Sequence, residues 1–385
     1  MFQPGETQVG NRVLHDLKPL FNVPPLHNSI PPQLAHRFDP VFVDYYNKYN
    51  AGRLYFDDVP IHEYRQNPLK YTIAYGRAQG PDIYRITEQK CPVKGGEITV
   101  RIFEPAPIFE NGNDRKPMKR AAYINFHGGC WLLGGLASDH DFCKFLVDQL
   151  SGHMVVFDVD YRLAPEYPFP IPIEDSWAAF CWVRIEKPHF PPKRVRTQKI
   201  EEFNIDPDRF VVGGVSAGGH LASVVSHMCR DAAIPLQLQV LCVPICDLHN
   251  TFTEDGEFDR ENCPYASYKE MEFSAGMTAA RMSYCHKYFL GQHRPSLSDE
   301  AWKASPILAP NFRDLAAALI FTAEMDPLRD EGEAYAAKMR AAGSEVELVR
   351  MTAAPHSFAM LDGILESGKM YNRKVVQTLR EKLSQ

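Results

Sequence analysis

Gly214-Val215-Ser216-Ala217-Gly218 is the stretch on which the reading of this chain turns. It follows a short apolar run with the character of a strand, Arg209-Phe210-Val211-Val212-Gly213. It opens a helical pattern, Gly219-His220-Leu221-Ala222-Ser223-Val224-Val225. A serine between two glycines on a strand-to-helix turn is a nucleophile elbow. The turn is too tight for side chains at the flanking positions, and the hydroxyl stands above the sheet. Ala217 begins the helix, so its N–H has no intrahelical partner and can face a developing oxyanion. The five-residue pattern alone recurs by chance. The strand before it and the helix after it give it weight.

A second motif lies upstream. Lys119-Arg120-Ala121-Ala122-Tyr123-Ile124-Asn125-Phe126 reads as a buried strand and runs directly into His127-Gly128-Gly129-Cys130-Trp131. Adjacent glycines after a strand allow close backbone approach and present N–H groups, the other half of an oxyanion hole completed by Ala217. A plain turn would use the same dipeptide.

A nucleophilic serine needs a base and a group to orient it, and in sheets of this type the acid and then the histidine follow the serine. Leu319-Ile320-Phe321-Thr322-Ala323 is an apolar strand leading into Glu324-Met325-Asp326-Pro327-Leu328-Arg329-Asp330-Glu331-Gly332. Pro327 disfavours helix at Asp326, which places that carboxylate in the loop. Asp330 and Glu331 fall in the first turn of the next helix, as partners of its dipole. Asp326 is the expected acid and Glu324 its nearest competitor. Glu345-Val346-Glu347-Leu348-Val349-Arg350-Met351 alternates as a strand, and the loop Thr352-Ala353-Ala354-Pro355-His356-Ser357-Phe358 offers His356 as the base. His220 and His227 lie along the elbow helix as packing or surface residues, and His249 precedes any suitable acid.

The set His127-Gly128-Gly129, Tyr161-Arg162-Leu163-Ala164-Pro165-Glu166, Gly214-x-Ser216-Ala217-Gly218-Gly219, Asp326-Pro327-Leu328-Arg329-Asp330-Glu331-Gly332 and His356 resembles the hormone-sensitive-lipase-type (family IV) carboxylesterases of the α/β-hydrolase fold. The resemblance covers roughly residues 97 to 385. It implies Ser216, Asp326 and His356 as a catalytic triad, with Gly128, Gly129 and Ala217 as oxyanion donors. Three positions depart from the usual pattern. Cys130 stands where a third glycine is customary, Val215 where a small polar or acidic residue is, and Ser357 where glycine follows the histidine. Cys130 is expected to be a small buried hydrophobe rather than a second nucleophile or redox switch.

At 385 residues the chain suits one large α/β core with an accessory part. A net charge of −6 gives no reason to expect nucleic acid binding, and the basic stretch Lys193 to Lys199 reads as a solvated insertion. Nine cysteines without disulfide-like spacing suit a reducing compartment, and Met1 to Glu6 lacks the marks of a secretory signal. Together with the lack of a membrane-spanning stretch, this makes a cytoplasmic location the expectation. Cys242 and Cys246 are expected inside an apolar strand.

Strands are expected at Asp82–Gln89, Glu97–Phe103, His153–Tyr161, Phe210–Gly214, Leu236–Val243, Ala317–Ala323 and Val346–Met351. Helices are expected around Ile173–Ile185 and Ser367–Leu383, and Asn111 to Asp114 is a polar turn. Such alternation implies a mainly parallel sheet flanked by helices. Residues 81–247 and 305–385 form the expected hydrolase core. In the resembled family, segments placed as 1–80 and 248–304 are here build a cap over the serine. The aromatics Phe38, Phe42, Tyr45, Tyr46, Tyr49, Tyr55 and Phe56 are then mostly the cap's own core. Met271, Met277 and Met282 serve as filling or as an adaptable lining.

The expected chemistry is two-step acyl transfer on a small or medium-sized, partly apolar ester, with no metal or organic cofactor. An amidase such as an aryl-formamide hydrolase, or a cyclase or lactonase of small-molecule biosynthesis, would use the same residues. A receptor with decayed machinery fits less well, and a homodimer is compatible with the sequence.

Overall fold

The computed structural model describes residues 26–71, 75–109, 117–184, 198–291 and 300–383. Among these, eight strands form one sheet: β1 (Arg85–Val93), β2 (Gly96–Glu104), β3 (Arg120–Phe126), β4 (Met154–Asp160), β5 (Ile205–Val215), β6 (Leu238–Cys242), β7 (Ala317–Met325) and β8 (Val346–Pro355). Their order across the sheet is β1-β2-β4-β3-β5-β6-β7-β8. β1 and β2 form an antiparallel hairpin, β2 runs antiparallel to β4, and every pairing from β4 to β8 is parallel. This is the mainly parallel sheet that the alternation of patterns predicts.

Parallel strands covered on both faces read as unbroken apolar runs, and β3 is buried at every residue. Its side chains alternate between two cores. Ala122, Ile124 and Phe126 face one layer, while Ala121 and Tyr123 face the other. The first layer contains the elbow helix Ala217–Asp231 and the helix Ile171–Arg184. The second contains the helices His140–Gln149 and Glu366–Leu383. The sheet is thereby sandwiched, and its functional loops leave the C-terminal ends of the parallel strands.

Several boundaries differ from expectation for local reasons. β5 starts at Ile205, because Arg120 pairs with Ile205 across an irregularity before the regular register at Ala122 and Phe210. β8 continues to Pro355, four residues past Met351, with Met325 opposite Pro355 after a register shift. Ala353 takes a left-handed φ of 55° within that extension. β6 ends at Cys242, and Val243 turns the chain at φ 41°. Cys246 therefore lies outside the strand, contrary to expectation, although it is as fully buried as Cys242. The expected turn at 111–114, the basic residues 193–197 and the first 25 residues lie outside the described residues.

The accessory segments have a core of their own. The helix Pro40–Tyr49 presents Phe42 and Tyr46 inward, and Ile30, Leu34, Phe38 and Tyr55 join them with Met271 and Ala275. The latter two belong to the chain between β6 and β7, whose longest helix is Ala279–Leu290. Met271 and Met282 are completely buried and Met277 nearly so, which makes all three filling. Most of the aromatic cluster is buried as well, with Tyr49 on the exposed flank. A polar cluster also joins the segments. The Arg281 guanidinium donates to Asp57 at 2.7 Å, to Asn28 Oδ1 at 2.9 Å and to the Gly276 carbonyl at 2.9 Å, 4.1 Å above the Tyr55 ring. No helix among the described residues is long and apolar enough to cross a membrane.

Candidate active site

The elbow is built from main-chain contacts that leave no room for side chains. A Cβ on Gly214 would lie 2.4 Å from the Phe126 carbonyl oxygen, and one on Gly218 would lie 1.8 Å from it. Strand β3 and the elbow thus touch backbone to backbone. Ser216 sits at the apex with φ 57° and ψ −116°, a conformation that side-chain-bearing residues adopt only when the surroundings impose it. Its N–H donates to the Cys242 carbonyl at 2.8 Å, and its carbonyl accepts from His220 N at 2.9 Å. The serine is held by β6 on one side and by the first helical turn on the other.

Three side chains converge from three strand ends. His356 Nε2 lies 3.1 Å from Ser216 Oγ, and His356 Nδ1 lies 2.7 Å from Asp326 Oδ2. A carboxylate only accepts, so Nδ1–H donates to Asp326 and Nε2 is left to accept the serine proton. Asp326 is wholly buried in the loop after β7. Its Oδ1 accepts from Leu328 N at 3.1 Å, which fixes the carboxylate plane. Such a chain can raise the nucleophilicity of a hydroxyl without help from a charged base.

The second motif lies against the elbow. A Cβ on Gly128 would meet the Val215 carbonyl oxygen at 2.9 Å, so the Gly128–Gly129 backbone abuts the turn that carries Ser216 and Ala217. Gly129 has φ 120°, and Cys130 and Trp131 follow at 56° and 58°. The residue standing for the third glycine thus adopts a glycine-like conformation at a cost of about 1–2 kcal/mol. Cys130 is buried beside the Cys285 thiol of the helix Ala279–Leu290, whose pKa is pushed well above the ordinary range by burial first and then by Cys130. Val215 is buried with the second core layer.

The competing residues have other tasks. Glu324 is not hydrogen-bonded to His356; its Oε2 accepts from Ala353 N at 2.7 Å, three residues before the histidine. The Ala353 carbonyl accepts from Asp39 N at 2.9 Å, so the histidine loop is held by β7 and by the N-terminal segment together. Nothing in the residue pattern announced this role, although Glu324 lies on the same strand end as Asp326. Asp330 and Glu331 do occupy the first helical turn, yet both reach outward. Asp330 accepts from Ser267 N at 2.7 Å. Glu331, fully buried, accepts from Cys246 N at 2.7 Å, and burial holds its carboxyl well above the usual range. His220 and His227 are buried, and burial lowers each to about 3. His249 is exposed. Among the described residues no group of three or more His, Cys, Asp or Glu side chains is arranged to hold a metal ion.

Comparison with known proteins places this geometry in a family. Residues 123–360 match the family model described as α/β hydrolase fold. The carboxylic ester hydrolase LipN of Mycobacterium tuberculosis is 31% identical, over 79% of this chain and 73% of its own length. An AB hydrolase superfamily protein of Schizosaccharomyces pombe is 29% identical over 92% of this chain and 96% of its own. Among solved structures, the thermostable carboxylesterase EstE1 from a metagenomic library superposes with a TM-score of 0.64 at 32% identity, covering 80% of this chain and 91% of that one. The Lake Arreo ester hydrolase EH1AB1 gives a TM-score of 0.70 at 26% identity, covering 92% and 100%. The chain belongs to the α/β-hydrolase fold family, among the hormone-sensitive-lipase-like carboxylesterases.

Proposed function

We propose that the protein hydrolyses small or medium-sized, partly apolar carboxylic esters through an acyl-enzyme on Ser216, with His356 as base and Asp326 as its orienting acid. The observation that carries this reading is the continuous chain from Ser216 Oγ through His356 to Asp326, at 3.1 Å and 2.7 Å. His356 takes the serine proton as Oγ attacks the ester carbonyl and returns it to the departing alkoxide. Water then repeats the sequence on the acyl-enzyme. Gly128, Gly129 and Ala217 donate to the oxyanion, a contribution of about 10²–10³ in rate for each donor in comparable sites.

The segments up to residue 80 and from 248 to 304 act as a cap, and the α/β core comprises 81–247 and 305–385. Both accessory segments are fastened to the loops that carry the triad, which supports this division. Asp39 N bonds the Ala353 carbonyl, Ser274 Oγ donates to the Met325 carbonyl, and Ser267 Oγ donates to the Pro327 carbonyl. Such a cap excludes water and shapes the acyl and alcohol pockets. All nine cysteines fall among the described residues as free thiols, which supports a cytoplasmic location.

Fluorophosphonate labelling followed by peptide mass analysis tests the nucleophile. Modification of Ser216 alone is expected. Modification elsewhere, with Ser216 untouched, contradicts the assignment.

A further inference from the structure

The proposed oxyanion hole draws its N–H groups from two separate stretches, Gly128–Gly129 after β3 and Ala217 at the start of the elbow helix. A displacement of about 1 Å between them would misdirect the donors. Close backbone packing secures the Gly128 end, where a Cβ would meet the Val215 oxygen. Beyond it the loop runs through three successive left-handed residues, Gly129, Cys130 and Trp131, two of them not glycine. Such a run persists only where its surroundings over-determine it.

The Trp131 side chain supplies that restraint. It is completely buried and stacks on Phe289 at 3.9 Å, with its edge toward His220 at 5.0 Å. Its indole Nε1–H donates to His220 Nδ1 at 3.2 Å. An indole nitrogen can only donate, so Nδ1 is the acceptor and Nε2 carries the proton, which it donates to the Lys303 carbonyl at 2.9 Å. Burial lowers His220 to about 3, and the neutral form that this pairing requires holds throughout the range in which esterases are assayed. His220 is four residues past Ser216 and donates its own N–H to the Ser216 carbonyl at 2.9 Å.

We infer that Trp131 and His220 are positioning residues whose side-chain hydrogen bond ties the glycine loop to the elbow helix and so holds the two halves of the oxyanion hole in register. The inference rests on Gly128, Gly129 and Ala217 being the oxyanion donors.

The test is kinetic. Trp131→Phe keeps the stacked ring and removes the donor. His220→Leu removes the acceptor, whereas His220→Asn places an amide oxygen near the former Nδ1. With a p-nitrophenyl ester, Trp131→Phe and His220→Leu are expected to lower kcat about tenfold with KM within about twofold, because the lost alignment matters in the transition state. Affinity for a trifluoromethyl ketone, which forms a tetrahedral adduct, should fall in parallel, and His220→Asn should recover most of both. A lowered melting temperature with kcat unchanged in Trp131→Phe, or His220→Asn no better than His220→Leu, overturns the positioning role. Should His220→Leu fail to fold, Trp131→Phe and His220→Asn decide the matter. Ser216→Ala, assayed alongside, separates the two levels: residual turnover there contradicts the catalytic reading itself. Silence there, with Trp131→Phe at full rate, overturns only the positioning.

Discussion

The sheet and the two accessory segments both border the Ser216 site, yet different interactions hold them. In the sheet, neighbouring strands pair through main-chain ladders, and side chains alternate between two apolar layers. Even the elbow is fixed largely by backbone, with Phe126, Cys242 and Gly218 in direct contact around it. The accessory segments share an apolar cluster and are joined by side chains far apart in sequence, Arg281 with Asp57, Asn28 and Tyr55, while Ser267 ties one of them to Pro327 and Asp330 of the core. They thus add to their shared apolar cluster a set of individual side-chain pairs, each open to separate substitution.

The sharpest way to separate the two regions is to remove chemistry from the core and leave its packing intact. Asp326→Asn should lower kcat by about 10⁴-fold, since the amide no longer fixes the productive tautomer of His356. The melting temperature should stay close to wild type. A loss of only a few fold would mean that Asp326 does not orient the base.

The complementary break is in the accessory segments. Arg281→Ala removes a buried guanidinium and leaves Asp57 without its ion pair, which should cost about 3 kcal/mol in urea unfolding. A loss well below about 1 kcal/mol would mean that this ion pair contributes little to holding the accessory segments together.

Glu324 lies where the regions meet, since Ala353 bonds it through N–H and bonds Asp39 through its carbonyl. Glu324→Ala, which removes the acceptor for Ala353 N, should reduce kcat about tenfold by loosening the histidine loop. KM should change less. Full activity would show that Asp39 and the strand pairing suffice to place His356.

The smallest effect is expected at Glu331. Burial, reinforced by Asp247 and Asp326, raises the pKa of this carboxyl well above its ordinary value. The folded pKa is raised, so the stability this group contributes is complete below the unfolded value of 4.5 and declines as pH rises toward the folded value. Glutamine does not ionise. The melting temperature of Glu331→Gln relative to wild type should therefore climb as pH rises above 4.5. A difference independent of pH would mean that the carboxyl is ionised in the native protein.

The legibility of the chain follows the same division. Most of the parallel strands could be read because they are compact apolar runs between turn residues, β8 because it alternates, and the elbow because two glycines flank a serine at a strand-to-helix junction. Asp326 could be placed because Pro327 excludes it from the helix, and His356 because it follows an alternating strand. The extension of β8 to Pro355 could not be read, because it depends on Met325 pairing across a register shift and on the left-handed Ala353. The exit of Cys246 from β6 turns on the backbone of Val243, a residue whose β-branched side chain ordinarily favours a strand. Glu324 and His220 gave no local signal. Each acts on a backbone or side chain at a distance in sequence, 29 residues to Ala353 and 89 to Trp131, and only the folded chain brings them together.

The central claim is that Ser216 is the nucleophile of an ester hydrolase. It is tested most directly by assaying p-nitrophenyl esters from acetate to palmitate with the wild type and Ser216→Ala side by side. The account predicts turnover by the wild type that peaks at short or medium chains, and none above background in the variant, with both proteins folded. Equal turnover in the two, or none in a folded wild type at any chain length, would contradict it.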